Sequence, residues 1–193
     1  DNKTKEDSDT SSDSNDDVDN DLDDENDTGD VNSNTEDNDG AGKTGKGLPS
    51  ESQLNNAVSE WTRMQKKLAP SKRKITDFNT SSVVYDAKTG QYYYGMNKGL
   101  KLSGDELNPT LSKILPNKSL NEYKLGNCAE VDAINQALNN KANLSDLHIY
   151  TIVATTNKLR IPSNTFGSPK IACENCTYTF YGQVSDIISG WMK

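Results

Sequence analysis

Residues 126–138 read GNCAEVDAINQAL, and the interpretation of the whole chain starts from them. Ala129, Ala133, Ile134, Ala137 and Leu138 recur at helical spacing, which predicts a helix over 128–140 with one apolar stripe. Cys128 stands at its start, where the helix dipole favours a thiolate. Glu130 follows two residues on, inside the first turn. The next apolar run, LHIYTIVA over 147–154, is nearly continuous and reads as a buried central strand.

Working outward, SSVVYDA (81–87) and QYYYGM (91–96) are rich in β-branched and aromatic residues, and Lys88-Thr89-Gly90 between them makes a hairpin turn. Tyr92, Tyr93 and Tyr94 suit a half-buried strand and have rings able to stack on bases. Residues 51–68 predict a helix capped by Ser50, with Glu51 in the first turn, Lys66 and Lys67 in the last, and Pro70 ending it. Leu54, Val58, Trp61 and Leu68 fall near one face of it. Residues 97–127 are polar and interrupted by Pro109 and Pro116, with room for a short helix at 108–114. Downstream of the central strand, Lys170-Ile171-Ala172 predicts a short strand leading into Cys173-Glu174-Asn175-Cys176, then a helix and a closing segment over 176–190. Strand and helix alternating in this way indicate a layered α/β domain.

Charge divides the chain. Residues 1–50 hold 17 of the 29 acidic side chains and four of the 21 basic ones, so residues 51–193 carry a balance of +5 although the whole is -8. The acidic part has no aromatic residue and few apolar ones, too few to offset the entropy of ordering its backbone. Residues 1–48 are therefore expected to be a disordered acidic linker, with GAGKTGKG (40–47) as a flexible hinge, and residues 49–193 to be the folded domain. No stretch is long and apolar enough for a membrane span, and no signal peptide is visible. The first residue is Asp1 rather than Met, which suggests a piece of something longer.

The chain has three cysteines and one histidine. Cys173 and Cys176, two residues apart, form a natural half-site for zinc, and Cys128 supplies a third thiolate. Three protein ligands leave the fourth position open for water, as in catalytic rather than structural zinc sites. Glu130 stands where a carboxylate can take a proton from that water without ligating the metal. Two plainer readings compete. One is a Cys173–Cys176 disulfide with Cys128 free; the other is a structural site closed by His148, which more naturally sits as a hydrogen-bonded residue within its strand.

The order C-x-E and then C-x-x-C resembles the signature of zinc nucleobase deaminases, with Cys in place of the first His. Along residues 81–180 the segments SVVYDAKTGQYYYG, GNCAEVDAINQAL, LSDLHIYTI and CENC resemble the YwqJ-like deaminases, a family of bacterial polymorphic-toxin domains. The resemblance implies a cytidine-deaminase-like three-layer fold, a mixed five-stranded sheet flanked by helices. It implies zinc on Cys128, Cys173 and Cys176, with Glu130 catalytic. Gly95-Met96-Asn97 is similar to the G-x-N of nucleoside deaminases, which assigns Asn97 to substrate; Ala129, between the ligand and Glu130, is assigned there too. Two departures stand out. Ala172 replaces the Pro before the cysteine pair, and Lys98-Gly99 replaces the Glu that holds a free ribose.

The function expected from these readings is hydrolytic deamination of a nucleobase, cytosine before adenine, in nucleic acid. By the resemblance it is the C-terminal toxin of a secreted protein, acting in the cytoplasm of a target cell and neutralised by a cognate immunity protein. Lys66, Lys67, Lys72, Arg73 and Lys74 and the +5 balance favour a polymer over a free nucleotide. The alternatives are a deaminase of free nucleosides or nucleotides, and a zinc-stabilised binding module without activity.

Overall fold

The computed structural model describes residues 47–68, 78–155 and 165–193. The acidic segment to residue 46, and Lys72, Arg73 and Lys74, lie outside the described residues.

Helix α1 (Glu51–Leu68) begins with a capping box. Ser50 Oγ accepts from the Gln53 amide at 3.1 Å, and Gln53 Oε1 accepts from the Ser50 amide at 2.8 Å. Strand β1 (Thr80–Asp86) pairs antiparallel with β2 (Gln91–Met96), in register Ser81 to Met96 and Asp86 to Gln91. The turn is held by the Asp86 carboxylate, which accepts from the Lys88 amide at 2.9 Å and the Thr89 hydroxyl at 2.7 Å. Gly90 closes it at φ 74, a conformation that glycine adopts without steric cost.

Two short helices follow, α2 (Gly99–Ser103) and α3 (Pro109–Ile114). The second has Asn108 as its cap, accepting from the Thr110 amide at 3.0 Å. The first was not legible in the polar stretch after β2. Helix α4 (Ala129–Asn139) then leads to β3 (Leu147–Val153), α5 (Glu174–Phe180) and β4 (Asp186–Ile187).

The sheet order is β2-β1-β3-β4, with β1 and β3 antiparallel and β3 and β4 parallel. Among the described residues it has four strands rather than the five expected. The stretch expected as a strand at 170–172 forms none; just before it Pro169 makes one isolated bridge with Ile152, and the chain then turns away. The Lys170 amide still donates to Thr151 O at 2.8 Å, but the Ala172 amide is drawn to Gly190 O at 2.9 Å. Proline at 169 has no N–H to offer a ladder, and the chain must bend here to aim Cys173 inward.

Side chains alternate along β1 and β3 between two cores. Val83, Tyr85, Tyr150 and Ile152 meet Leu54 and Val58 of α1. Val84, Leu147 and Ile149 meet Val131, Ile134 and Ala137 of α4, with Phe180 of α5. The result is three layers, α1 on one face of the sheet and α4 with α5 on the other. Each fully buried aliphatic side chain contributes about 1.5–3 kcal/mol to this packing. One helical assignment differs from the expected stripe: Leu68 is exposed, and Thr62 takes the inner row begun by Leu54 and Val58. Its hydroxyl is satisfied by donating to Val58 O at 2.6 Å.

The α4 side is closed at its tightest point by glycine. A Cβ on Gly95 of β2 would run into the backbone nitrogen of Ala133 and the carbonyl of Ala129, so the helix and strand touch backbone to backbone. Neither partner can rotate out of the way, as a side chain could. Gly95→Ala is therefore expected to lower the free energy of unfolding by about 1–3 kcal/mol, read as a lower urea midpoint at unchanged slope.

Candidate active site

Cys128 is the N-cap of α4 and Cys173 the N-cap of α5, both with extended backbone and neither spending its side chain on a capping bond. Cys176 sits in the first turn of α5 and is buried against the core that includes Phe180. The two helix starts thus bring three sulfurs together. Cys128 Sγ and Cys173 Sγ are 3.4 Å apart, and all three sulfurs lie within 4.8 Å of one another. No disulfide joins them. A tetrahedral zinc with bonds of about 2.3 Å holds its sulfurs about 3.8 Å apart, so the donor set fits that ion. Among the described residues no histidine joins the cluster; His148 lies within β3, paired with Tyr85 and Asp186.

The electrostatics of the cluster also suit a cation. The other two thiols and the backbone N–H groups of Asn175 and Cys176 draw the Cys173 thiol well below its usual range. The Cys128 and Cys176 thiols are pushed up, first by their hydrogen bonding within the cluster and also by burial. Thiolates this close repel one another, and a positive ion between them would relieve that repulsion.

Glu130, 4% exposed, lies in the first turn of α4. Burial raises its pKa, while nearby Lys170 and the Thr151 hydroxyl pull in the other direction. A carboxyl in this position, with its neutral form favoured by burial, has the chemistry of a general acid and base.

A cavity of about 270 Å³ opens beside Cys128, Cys173 and Glu130. Asn97 and Ala129, assigned to substrate from the sequence, both border it. Asn97 Oδ1 accepts from the amides of Asn79 and Thr80 at 2.9 and 3.0 Å, tying the end of β2 to the start of β1. Ala129 is fully buried.

Three further residues at the site carried no sequence signal. Tyr123, 54% exposed, stands at the cavity with its ring free to meet a ligand. Its loop is pinned by Asn175, the buried residue between the paired cysteines. Asn175 accepts from the Leu120 amide at 2.8 Å and donates to Ser119 Oγ at 3.0 Å and Asn121 Oδ1 at 2.9 Å. The turn that presents two sulfurs therefore also holds the loop that presents Tyr123. Lys170 borders the cavity as well, its ammonium donating to Thr80 Oγ1 at 2.7 Å. Glu174, also between the cysteines, faces solvent.

Three clustered thiols that could hold a metal ion, a buried carboxyl and a cavity reaching both come together on a three-layer α/β fold. The sequence profile of the YwqJ-like deaminases matches residues 62–182, and the chain belongs to that family. The match takes in both cysteine motifs and the hairpin, and leaves out the first half of α1 and all of β4. No curated protein matches the chain.

Asp132, one turn beyond Cys128, shows how finely α4 is held. Its Oδ2 accepts from the Met96 amide at 3.0 Å, directly beneath Gly99, where any Cβ would strike the carboxylate. Burial, the largest cause, raises its pKa. The penalty on the folded state is thus absent below the unfolded pKa of about 3.9 and complete above the folded one. Asp132→Asn keeps the acceptor for Met96 and cannot ionise. The variant should gain stability over the parent as pH rises from about 4 toward neutrality, with the two denaturation curves meeting at lower pH.

Proposed function

We propose that this deaminase is zinc-dependent and acts on a nucleobase within nucleic acid, cytosine rather than adenine. We further propose that it serves as the C-terminal toxin of a secreted bacterial protein, working in the cytoplasm of a target cell under the control of a cognate immunity protein. The observation that carries the chemical part is Glu130, a buried carboxyl beside three convergent sulfurs at the head of one cavity. Cys128, Cys173 and Cys176 would hold the zinc, which when bound supplies a Lewis acid that lowers the pKa of water.

The protein's own residues handle the protons. Glu130 takes one from the attacking water and delivers it to the ring nitrogen next to the amine-bearing carbon. The Glu130 carboxylate then takes the proton of the newly added hydroxyl and passes it to the amine, so that the C–N bond breaks, ammonia leaves and the carbonyl forms. Asn97 and Tyr123 border the volume that the nucleoside unit would fill. A polymer substrate is supported by the +5 balance of residues 51–193. It is supported too by Lys66, whose ammonium lies 4.8 Å from the Phe78 ring, one residue from the cavity residue Asn79.

The decisive comparison is between cells expressing the parent chain and cells expressing Glu130→Gln. The parent should leave an excess of C-to-T changes in sequenced DNA or RNA, and Glu130→Gln should lower the rate by about 10²–10⁴ while retaining its metal. C-to-T changes that persist in Glu130→Gln would remove Glu130 from the chemistry. Their absence from both, with free cytidine nucleotides consumed, would move the substrate from polymer to monomer.

Zinc itself is tested by elemental analysis and melting. The purified chain should carry zinc, and chelation should lower its Tm, reversibly on zinc addition. Cys176→Ser should abolish the zinc-dependent part of that stability. An unaltered Tm with zinc absent throughout would exclude the metal.

A further inference from the structure

One part of the cavity wall carries more positive charge than the chemistry described so far uses. It is formed by the start of β1, the end of β2 and the segment that leads into Cys173, and a chain of hydrogen bonds runs through it. The Lys170 ammonium donates to Thr80 Oγ1 at 2.7 Å, and Thr80 Oγ1 donates to Asn79 Oδ1 at 2.9 Å. The amides of both residues converge on Asn97 Oδ1. Lys98 follows Asn97 immediately, and its own amide is fixed to Asn127 O at 2.9 Å.

Among the residues bordering the cavity, Lys98 and Lys170 are the basic ones and Glu130 is the acidic one. Neither lysine makes an ion pair among the described residues. Each ammonium has three donors, and Lys170 uses one of them on Thr80. Lys170 thus borders a small cavity with donors to spare and Lys98 lies exposed on its rim, and a neutral nucleoside offers them nothing of opposite charge.

The backbone sharpens the point. Lys98 sits at φ 66, in the left-handed region where a Cβ is disfavoured and glycine would be at ease. Lys141, at φ 67, is also left-handed, but it lies just past the end of α4, where such a conformation commonly terminates a helix. At 98 the left-handed turn instead places a lysine on the cavity rim.

We propose that Lys98 and Lys170 form a phosphate subsite of this cavity, so that the substrate enters as a phosphorylated nucleotide unit, free or within a strand, and not as a bare nucleoside. This rests on the deaminase reading and adds to it the part of the substrate recognised away from the base. Lysine pairs hold phosphate as point charges, with hydrogen bonds stronger than those between neutral groups. The Asn97 side-chain nitrogen supplies a neutral donor next to them, while Thr80 holds the Lys170 ammonium in place.

The test is equilibrium binding by the full chain carrying Glu130→Gln, which removes turnover from the measurement. The ligands are inorganic phosphate, cytidine, cytidine 5′-monophosphate and a short cytosine-containing single-stranded oligonucleotide. The monophosphate or the oligonucleotide should bind at least about tenfold tighter than cytidine, with the advantage shrinking as salt is raised. Lys98→Gly, which removes the ammonium and relaxes the backbone, and Lys170→Gln, which keeps a donor for Thr80, should each narrow that ratio. A loss shared by both ligands supports the subsite with a terminal phosphate as its occupant. A loss confined to the oligonucleotide supports it with the strand backbone as occupant. Equal affinity for cytidine and both phosphorylated ligands, no binding by the phosphorylated ligands, or no response to either substitution would overturn it. Ammonia release by the unaltered chain is measured separately. Phosphate-dependent binding without ammonia release sinks the deaminase reading and leaves the subsite standing, and ammonia release without phosphate-dependent binding does the reverse.

Discussion

The contact between Gly95 and the first turns of α4 is the constraint on which the active centre depends. Helix and strand meet there backbone to backbone, with no side chain between them. That contact sets the height of α4 above the sheet, and α4 carries Glu130 while its N-cap is Cys128. One turn further, Asp132 reaches back to the Met96 amide under Gly99, fixing the same helix to the end of β2. A side chain at 95 would lift α4, and the sulfur of Cys128 would move with it; one at 99 would push the Asp132 carboxylate off the Met96 amide. The position of the Cys128 sulfur is in this sense a consequence of glycines that take no part in the chemistry.

The second cysteine pair is held by different means. Its helix is short, and the Ala172 amide bonds to Gly190 O of the closing segment. The buried Asn175 side chain then ties the turn to the loop at 119–123. Two of the three sulfurs and the aromatic ring at the cavity are thereby fixed by one hub. A polar residue buried with three partners is stabilising only while all three are kept, which makes the hub specific as well as strong. Charge follows a similar economy: the cluster concentrates negative charge on sulfur, burial restrains Glu130 from ionising, and Lys170 offsets that restraint.

Much of this was legible in the sequence, and the misses have physical causes. The helix over 129–139, the hairpin and the central strand show their period over several residues, so local pattern was enough. The thiol motifs were legible because ligand spacing on one helix turn is a local property. The short helix at 99–103 was missed because five residues in a Gly-flanked polar stretch carry no period. The strand expected at 170–172 did not form because Pro169 and the bond from Ala172 to Gly190 turn the backbone away from the sheet. Helical phase puts Leu68 near the face of Leu54 and Val58, yet it is exposed, because phase says nothing about where a neighbouring sheet stops.

By itself, then, the amino-acid order determined the layered α/β class, the helix carrying Cys128 and Glu130, and the three thiols as candidate ligands, because period, capping and ligand spacing are all encoded within a few residues. The tertiary structure alone decided the order β2-β1-β3-β4, the approach of two cysteine motifs far apart in the chain, the hub at Asn175, and the placement of Tyr123, Lys98 and Lys170 around one cavity. Those depend on which backbone atoms the folded chain brings into contact, and no short stretch of sequence carries that information.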